Sequence, residues 1–177
     1  EVVTVGAPDD DVAVAYGGRD GLESIVSLDG TGWTVETHLP LLGAHQAQNA
    51  GIAAALLRQV ADVSDETLAR GLRNAHWPGR FEPMARSPLV ILDGAHNPKG
   101  CERVAETLDS FEYEDLHVVA GSMSDKDHRG IAAAFADAAH VVACEPDKDR
   151  AEDNSVVARA FERETDATVE TRSDVAG

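Results

Sequence analysis

The sequence predicts an α/β protein whose second part holds a mostly parallel sheet. From Ser87 onward, short apolar runs typical of buried strands alternate with segments that carry apolar residues at helical spacing. The connections between them are short, which is typical of successive strand–helix–strand units. Upstream, residues 1–40 have the pattern of short strands separated by Asp- and Gly-rich turns.

The first part is predicted to end in two helices. An Ala-rich, proline-free stretch over residues 45–63 predicts a buried helix. Ser64 has the character of a helix N-cap, with a second helix, "DETLARGLRNA", behind it. Pro78-Gly79 ends this region, and we place a boundary there between a first domain, residues 1–78, and a second domain, residues 79–177.

The second part is predicted to repeat a cycle of strand and helix. "LVILD" predicts a continuous buried strand, and proline is well placed at the first turn of a helix predicted over about 98–108. The cycle continues through "LHVVAGS", "HRGIAAAFADAA", "HVVACEP" and "AEDNSVVARAFERE", and it ends in the strand "ATVETR".

The charge of the chain restricts the classes of function. There are 32 acidic residues against 15 basic ones, which gives a formal net charge of -17. Because carboxylates hold water and salt screens their mutual repulsion, this balance indicates adaptation to high salt. Nucleic-acid binding requires a basic face, so the charge argues against a nucleic-acid partner.

The cysteines and the hydropathy pattern indicate a cytoplasmic protein. Cys101 and Cys144 are the two cysteines, and they lack the spacing of a metal or disulfide framework. No run approaches the roughly 18 apolar residues of a membrane span. No secretory leader opens the chain, and we expect no membrane partner.

Polar residues cluster where the predicted strands of the second part end. Asp93 ends the first of these strands, His96 follows in a Gly-Ala turn, and the loops "GSMSDKD" and "EPDKDR" leave the next two strands. Because ligands of open α/β sheets bind beyond the carboxyl ends of the strands, three such loops predict a ligand site at one edge. Asn97, directly before Pro98, is about equally consistent with a helix N-cap.

Two further positions are candidates for ligand contacts. Arg80 follows a rigid Pro-Gly turn, which suits a phosphate because a guanidinium binds oxyanions with fixed fork geometry. A salt bridge is the alternative for Arg80. His45 and Asn49 are four residues apart and share one helix face, although a capping histidine and a core amide explain them slightly better.

Familiar nucleotide and hydrolase motifs are absent from the chain. It contains no GxxxxGK[ST] phosphate loop and no GxGxxG dinucleotide fingerprint. It also lacks the GxSxG and HExxH motifs of hydrolases and metalloproteases. Any nucleotide site in this chain therefore depends on other residues.

Four segments, taken together and in order, resemble the folylpolyglutamate synthase/dihydrofolate synthase family of the Mur ligase superfamily. They are "LLGAHQAQNAGIAAAL", "WPGRFE", "ILDGAHNPKG" and "GSMSDKDHRG", and the resemblance runs from roughly residue 30 to 155. It implies a Rossmann-like, mostly parallel sheet in a C-terminal domain of the Mur ligase type. The end of a central ATP-binding α/β domain would precede it.

The resemblance also implies roles at an ATP site. Asn49 would contact the adenine, Arg80 the phosphates, and Asp93 the nucleotide from the far domain. Magnesium would assist, with its ligands mainly upstream of Glu1, where the family's phosphate loop also lies. The chain is thus expected to be a fragment that does not turn over alone.

The remaining implied roles concern the substrates. His96 would lie near the incoming glutamate and, with Arg80, act in catalysis, while Asn97, Asp125 and Lys126 would line the same cleft. Similar enzymes form an amide: a carboxylate of folate or dihydropteroate takes the γ-phosphoryl group of ATP, and the amine of L-glutamate displaces phosphate. A monomer is expected, and the resemblance leaves open a fusion to dihydropteroate synthase.

Other functions stay open on the sequence alone. One is a Mur-type ligase for another amino acid. A second is a non-catalytic module that binds a nucleotide or an amino acid, and a third is a plain α/β domain without a ligand. The HQxxN and WPGR forms favour the folate enzyme over the first alternative, although the residues that select the acid substrate are expected mostly upstream. Intact Arg80, Asp93 and His96 argue weakly against the second.

Overall fold

The protein forms two units in a computed structural model that describes residues 2–173. One unit ends at Gly94 and the other begins at Ala95. Each has its own hydrophobic core. No helix among the described residues combines the length and the apolar character needed to cross a membrane.

The first unit is built on a four-stranded sheet in the order β1-β2-β3-β4. β1 runs parallel to β2, whereas β2, β3 and β4 are antiparallel neighbours. The strands are β1 Val5–Gly6, β2 Val12–Asp20, β3 Glu23–Gly30 and β4 Trp33–Leu39. Buried and more exposed residues alternate along β3 and β4, so one face of the sheet forms the core. This confirms the short strands predicted in residues 1–40.

Two helices cover that face, α1 Ala44–Val60 and α2 Asp65–Arg73. Small residues let α1 approach the sheet closely: a methyl group added at Gly51 would lie 2.4 Å from Cγ2 of Val14. Ser64 caps α2, because its side chain accepts a hydrogen bond from the Thr67 N–H. Both predicted helices are confirmed, although α1 ends at Val60, earlier than predicted.

A separate hairpin closes the first unit and corrects one prediction. It pairs β5 Glu82–Arg86 with β6 Leu89–Leu92 in antiparallel register. The sequence predicts the β6 run as a buried strand that opens the parallel sheet, and this is wrong. A two-residue turn after Arg86 reverses the chain, so that β6 forms its backbone hydrogen bonds with β5 and not with the parallel sheet. Leu89, Val90 and Leu92 of β6 are exposed.

The second unit contains the predicted parallel sheet. Its three strands lie in the order β7-β8-β9, and both neighbouring pairs are parallel. The elements are α3 Pro98–Leu108, β7 His117–Ala120, α4 His128–Ala133, β8 His140–Cys144, α5 Asn154–Glu164 and β9 Thr168–Arg172. Val141 of β8 and Phe161 of α5 are almost fully buried in its core. The α/β fold class is therefore confirmed.

Candidate functional site

Arg80 is displayed on a tightly bent turn of the first unit. Its neighbours on both sides have left-handed backbone, with φ 68° at Gly79 and φ 46° at Phe81. Glycine adopts this conformation readily, but a phenylalanine rarely does. The Phe81 side chain is only 3% exposed, so it anchors the turn while Arg80 points out of the core as an exposed residue.

Two carboxylates and one backbone hydrogen bond fix this turn. Oε2 of Glu82 accepts a hydrogen bond of 2.8 Å from the Gly79 N–H. Oδ2 of Asp93 accepts one of 2.7 Å from the Phe81 N–H. The Gly94 N–H donates to the Gly79 carbonyl at 2.8 Å. The backbone on each side of Arg80 is thus held in place by groups next to β5 and β6.

The guanidinium of Arg80 has no partner within the described part of the chain. Over residues 2–173 its side chain makes no hydrogen bond and no ion pair. An arginine that no carboxylate neutralises keeps its positive charge and its fork of donors for an external oxyanion. The salt bridge considered as an alternative for Arg80 is therefore not formed with any residue from 2 to 173.

The structure brings Asp93 to the same turn as Arg80. Asp93 follows β6 directly, is partly buried, and reaches the Phe81 N–H, one residue beyond Arg80. Its carboxylate therefore already has a structural role in holding the turn. The predicted contact between Asp93 and a nucleotide stays a prediction.

Asn49 lies on α1 of the first unit as an exposed residue. Its Nδ2 donates a hydrogen bond of 3.1 Å to Oε1 of the buried Gln46. That contact orients the Asn49 amide, while its carbonyl oxygen accepts no hydrogen bond from residues 2–173. The predicted adenine contact is compatible with this arrangement and stays a prediction.

Asn97 caps α3 in the second unit. It has extended backbone, and its Oδ1 accepts a hydrogen bond of 2.8 Å from the Gly100 N–H. The capping interpretation of Asn97 is thereby confirmed, and a role in substrate binding would have to be added to it. His96, immediately before, is exposed, and its predicted place beside glutamate stays a prediction.

The polar loops after β7 and β8 lie against each other. The Ser124 N–H donates to the Arg150 carbonyl at 3.0 Å, and the Glu152 N–H donates to the Ser122 carbonyl at 2.9 Å. Two of the three loops predicted to share one edge are therefore brought together. The third follows β6, which lies outside this sheet.

Asp125 and Lys126 form an ion pair in the first of these loops. Nζ of Lys126 lies 3.2 Å from Oδ2 of Asp125, and Nη1 of Arg150 lies 3.9 Å from Oδ1 of the same carboxylate. The hydrogen bond from Lys126 is the main reason that the pKa of Asp125 falls below its ordinary value. Lys126 thus differs from Arg80, since a carboxylate already neutralises it.

The start of α3 and the start of α4 are neighbours. A methyl group added at Gly130, in the first turn of α4, would lie 2.5 Å from Cγ of Pro98. Asp127 caps α4 by accepting a hydrogen bond of 3.0 Å from the Gly130 N–H. This contact brings Asn97, which precedes Pro98, to the same side of the second unit as the Lys126 loop.

Glu82 and Phe81 escape prediction from the sequence. A phenylalanine gives no sign that its backbone will be left-handed, and Glu82 is one of 32 acidic residues. The Pro-Gly turn offers a usable signal, because backbone N–H groups that a turn withdraws from water need acceptors, and Glu82 is the nearest carboxylate along the chain to Gly79.

Metal binding finds little support in this part of the protein. No group of three or more His, Cys, Asp or Glu side chains among residues 2–173 is arranged to hold a metal ion. The residues present fit a nucleotide phosphate better, because Arg80 offers an unpaired guanidinium on a fixed backbone.

Comparison with known proteins identifies relatives of this chain. The family model described as "Mur ligase, glutamate ligase domain" matches residues 79–176. A probable bifunctional folylpolyglutamate synthase/dihydropteroate synthase of Halobacterium salinarum is 57% identical over 153 residues, which are 86% of this chain and 19% of that protein. The protein of the same description from Haloferax volcanii is 50% identical over 99% of this chain and 22% of its own length.

Solved structures agree with the sequence relatives. The folylpolyglutamate synthase of Mycobacterium tuberculosis, complexed with ADP, superposes with a TM-score of 0.85 at 33% identity, over 93% of this chain and 38% of that one. The chain spans about a fifth of the length of the curated haloarchaeal relatives that it matches. Since the family model covers more than half of the sequence, the chain belongs to the Mur ligase family through its glutamate ligase domain.

Proposed function

We propose that the full-length protein is an ATP-dependent ligase that joins L-glutamate to folate or dihydropteroate. Relatives that are 57% and 50% identical to this chain are described as probable folylpolyglutamate synthases. The chain spans about a fifth of their length. It therefore supplies part of the site, and we do not expect it to turn over alone.

The turn that holds Arg80 is the observation that carries the nucleotide part of this proposal. Its backbone is fixed on both sides of Arg80, and the guanidinium has no partner among residues 2–173. In a chain of net charge -17, an unpaired arginine is the group best suited to an oxyanion such as the phosphates of ATP. The described binding of ADP by the related Mycobacterium enzyme supports the same ligand class.

The proposed reaction has two bond-making steps. A carboxylate oxygen of the acceptor attacks the γ-phosphorus of ATP, and the bond to ADP breaks, which leaves an acyl phosphate. The amine of glutamate then attacks the acyl carbon, loses a proton, and inorganic phosphate leaves. Arg80 stabilises the charge that develops on the phosphoryl oxygens, and His96 lies near the amine.

We assign the other candidate residues to the same ligands. Asn49 would contact the adenine and Asp93 the nucleotide, while Asn97, Asp125 and Lys126 would line the glutamate side. Magnesium would neutralise phosphate charge, but residues 2–173 offer no cluster that fits it. The ligands of the metal are therefore expected elsewhere in the full-length protein.

The domain organisation belongs to this proposal. Residues 1–78 would be the end of a central ATP-binding domain, and residues 79–177 most of the C-terminal domain. A fusion to dihydropteroate synthase is proposed because both haloarchaeal relatives are described as bifunctional in that sense. We also propose that the protein is a cytoplasmic monomer. Its partners would be these small molecules, and it would bind neither nucleic acid nor a membrane.

The test uses the full-length protein in molar KCl. ADP release is measured with ATP and magnesium, and with folate, dihydropteroate and L-glutamate present or omitted. Release that requires both an acceptor and glutamate supports the proposal. Release with glutamate and a different acid acceptor, such as a peptidoglycan precursor, points to another Mur-type ligase, and nucleotide binding without turnover points to a binding module.

A further inference from the structure

Glu82 lies two residues beyond Arg80 but does not pair with it. Its carboxylate instead accepts the Gly79 N–H at 2.8 Å, on the other side of Arg80. A glutamate two residues from an arginine can form an ion pair with it, although an exposed pair of this kind contributes little to stability. Because the backbone N–H engages Oε2, Glu82 does not neutralise the guanidinium, and no ion pair joins the two side chains in the described part of the chain.

Glu82 is well placed to hold the turn. It is the first residue of β5, and its backbone is in register with Leu92 of β6. Its side chain is partly buried, so the hydrogen bond to Gly79 is less exposed to competition from water than one at the surface. The pairing of β5 with β6 thereby fixes the position of Glu82, and the Glu82 carboxylate fixes the turn at Gly79.

The turn needs such support because its backbone is unfavourable. Left-handed φ at Phe81 is a conformation that an L-residue with a bulky side chain adopts only when its surroundings enforce it. Asp93 enforces it from one side through the Phe81 N–H, and Glu82 enforces the bend from the other through the Gly79 N–H. Loss of either acceptor would release the backbone that carries Arg80.

We propose that Glu82 is a positioning residue that keeps the Arg80 guanidinium both correctly directed and unpaired. This inference rests on the proposed role of Arg80 at the phosphates of ATP. In this proposal Glu82 does not contact ATP itself. Its whole effect passes through Arg80, and this makes the inference separable from a general effect on stability.

The first measurement does not depend on activity. The full-length protein in molar KCl is digested briefly with trypsin, and cleavage after Arg80 is followed by mass spectrometry. A protease needs an extended, movable segment, so the fixed turn should resist cleavage, and Glu82→Ala should raise the rate at Arg80 by about tenfold through local opening. Glu82→Gln retains an acceptor oxygen and should stay within about threefold of wild type.

Glu36→Ala is the matched control. Glu36 is an exposed glutamate of β4 in the same unit, and its side chain makes no hydrogen bond or ion pair with residues 2–173. Its loss should leave cleavage after Arg80 unchanged. The melting temperature of each variant is measured as well. A variant that melts as wild type does is folded, so faster cleavage in it reports local opening and not global unfolding.

The second measurement is a double-mutant cycle on the dissociation constant for AMPPNP, an ATP analogue that is not hydrolysed and that retains the γ-phosphoryl group. Glu82→Ala should weaken binding about tenfold in the wild-type background and should have no further effect in an Arg80→Ala background, because a residue that acts through Arg80 has nothing left to position. A purely structural role would weaken binding equally in both backgrounds.

The outcomes separate this inference from the proposed function. Faster cleavage together with a coupled loss of affinity supports it. Unchanged cleavage after Arg80 in Glu82→Ala, or additive losses in the cycle, overturns it. If Arg80→Ala binds AMPPNP as tightly as wild type, the phosphate role of Arg80 fails and the positioning role fails with it, while the digestion still shows whether Glu82 holds the turn.

Discussion

Arg80 and Lys126 are two cations on loops of the same acidic chain, and their surroundings differ in one decisive respect. The Arg80 turn is held by carboxylates that bind its backbone and leave the guanidinium without a partner among residues 2–173. In the Lys126 loop a carboxylate binds the cation itself, since Nζ lies 3.2 Å from Oδ2 of Asp125.

The difference shows how an acidic protein can keep a positive charge available. With 32 acids and 15 bases, most cations will find a carboxylate nearby. In the Arg80 turn, backbone N–H groups engage the two neighbouring carboxylates, Glu82 and Asp93. A phosphate would therefore meet an uncompensated charge at Arg80, whereas at Lys126 it would have to compete with Asp125.

The largest expected effect is therefore a contrast between two alanine variants of the full-length protein. Arg80→Ala should lower kcat/KM for ATP by about 10²–10³, the range seen when one donor to a developing charge is removed. Arg80→Lys should recover only part of this, because an ammonium lacks the fork geometry. Steady-state kinetics with ATP varied in molar KCl measure both.

Lys126→Ala is the matched comparison. Because Asp125 already neutralises Lys126, its loss should change kcat/KM for ATP by no more than about threefold, as is usual for an exposed ion pair. Equal losses in Arg80→Ala and Lys126→Ala would show that the ion pair opens when ligand binds. The contrast drawn from the two loops would then be wrong.

A smaller effect is expected at Asn97, where capping and ligand binding compete as explanations. Asn97→Ala removes the acceptor for the Gly100 N–H and should lower the free energy of unfolding by about 1 kcal/mol. Asn97→Asp keeps an acceptor at this position and should preserve stability. Urea unfolding and ADP release are measured on both variants.

The aspartate variant decides between the two roles. If Asn97 only caps α3, Asn97→Asp should retain both stability and activity. If its amide also binds substrate, Asn97→Asp should be stable but impaired in glutamate-dependent ADP release. A loss of stability in Asn97→Asp equal to that in Asn97→Ala would contradict the capping geometry itself.

The features that the sequence predicts well are those with local causes. α3 begins and ends where the sequence indicates, at Pro98–Leu108, because an Asn-Pro pair marks its start and apolar spacing marks its length. Arg80 and Asp93 were also identified as candidates, since a Pro-Gly turn and a strand end are local signals. The two residues come together because the pairing of β5 with β6 places the end of β6 beside the start of β5.

The features that escaped prediction depend on partners distant in the chain or on unusual backbone. The apolar run of β6 does not reveal which strand it pairs with, and β5 was not recognised because Pro83 lies within it. Left-handed Phe81 is unusual for its residue type, so nothing in the sequence predicts the bend that displays Arg80. The pairing of Lys126 with Asp125 is likewise decided by side-chain rotamers.

The smallest expected effect concerns the second of the two cations and tests whether Asp125 neutralises Lys126 in solution. The hydrogen bond from Lys126 is the largest cause that lowers the pKa of Asp125 from its usual 3.8. Lys126→Met should therefore raise the pKa of Asp125 toward that value. Carbon-13 NMR titration of the aspartate carboxyls measures it, with Asp153 as the control, because hydrogen bonds from Ser155 are the main cause that lowers its pKa.

The sign of the pH dependence follows from that shift. A carboxyl whose pKa is depressed in the folded state adds stability above its unfolded pKa, and this contribution disappears as the pH falls through the folded pKa. The Lys126–Asp125 pair should thus contribute its full stabilisation above about pH 4 and lose it as the pH falls below that value, and molar salt should weaken it because Asp125 is exposed. If Lys126→Met leaves the Asp125 titration unchanged, Lys126 is not held by Asp125 in solution. It would then be as available to a ligand as Arg80, and only the fixed backbone of the Arg80 turn would still distinguish the two loops.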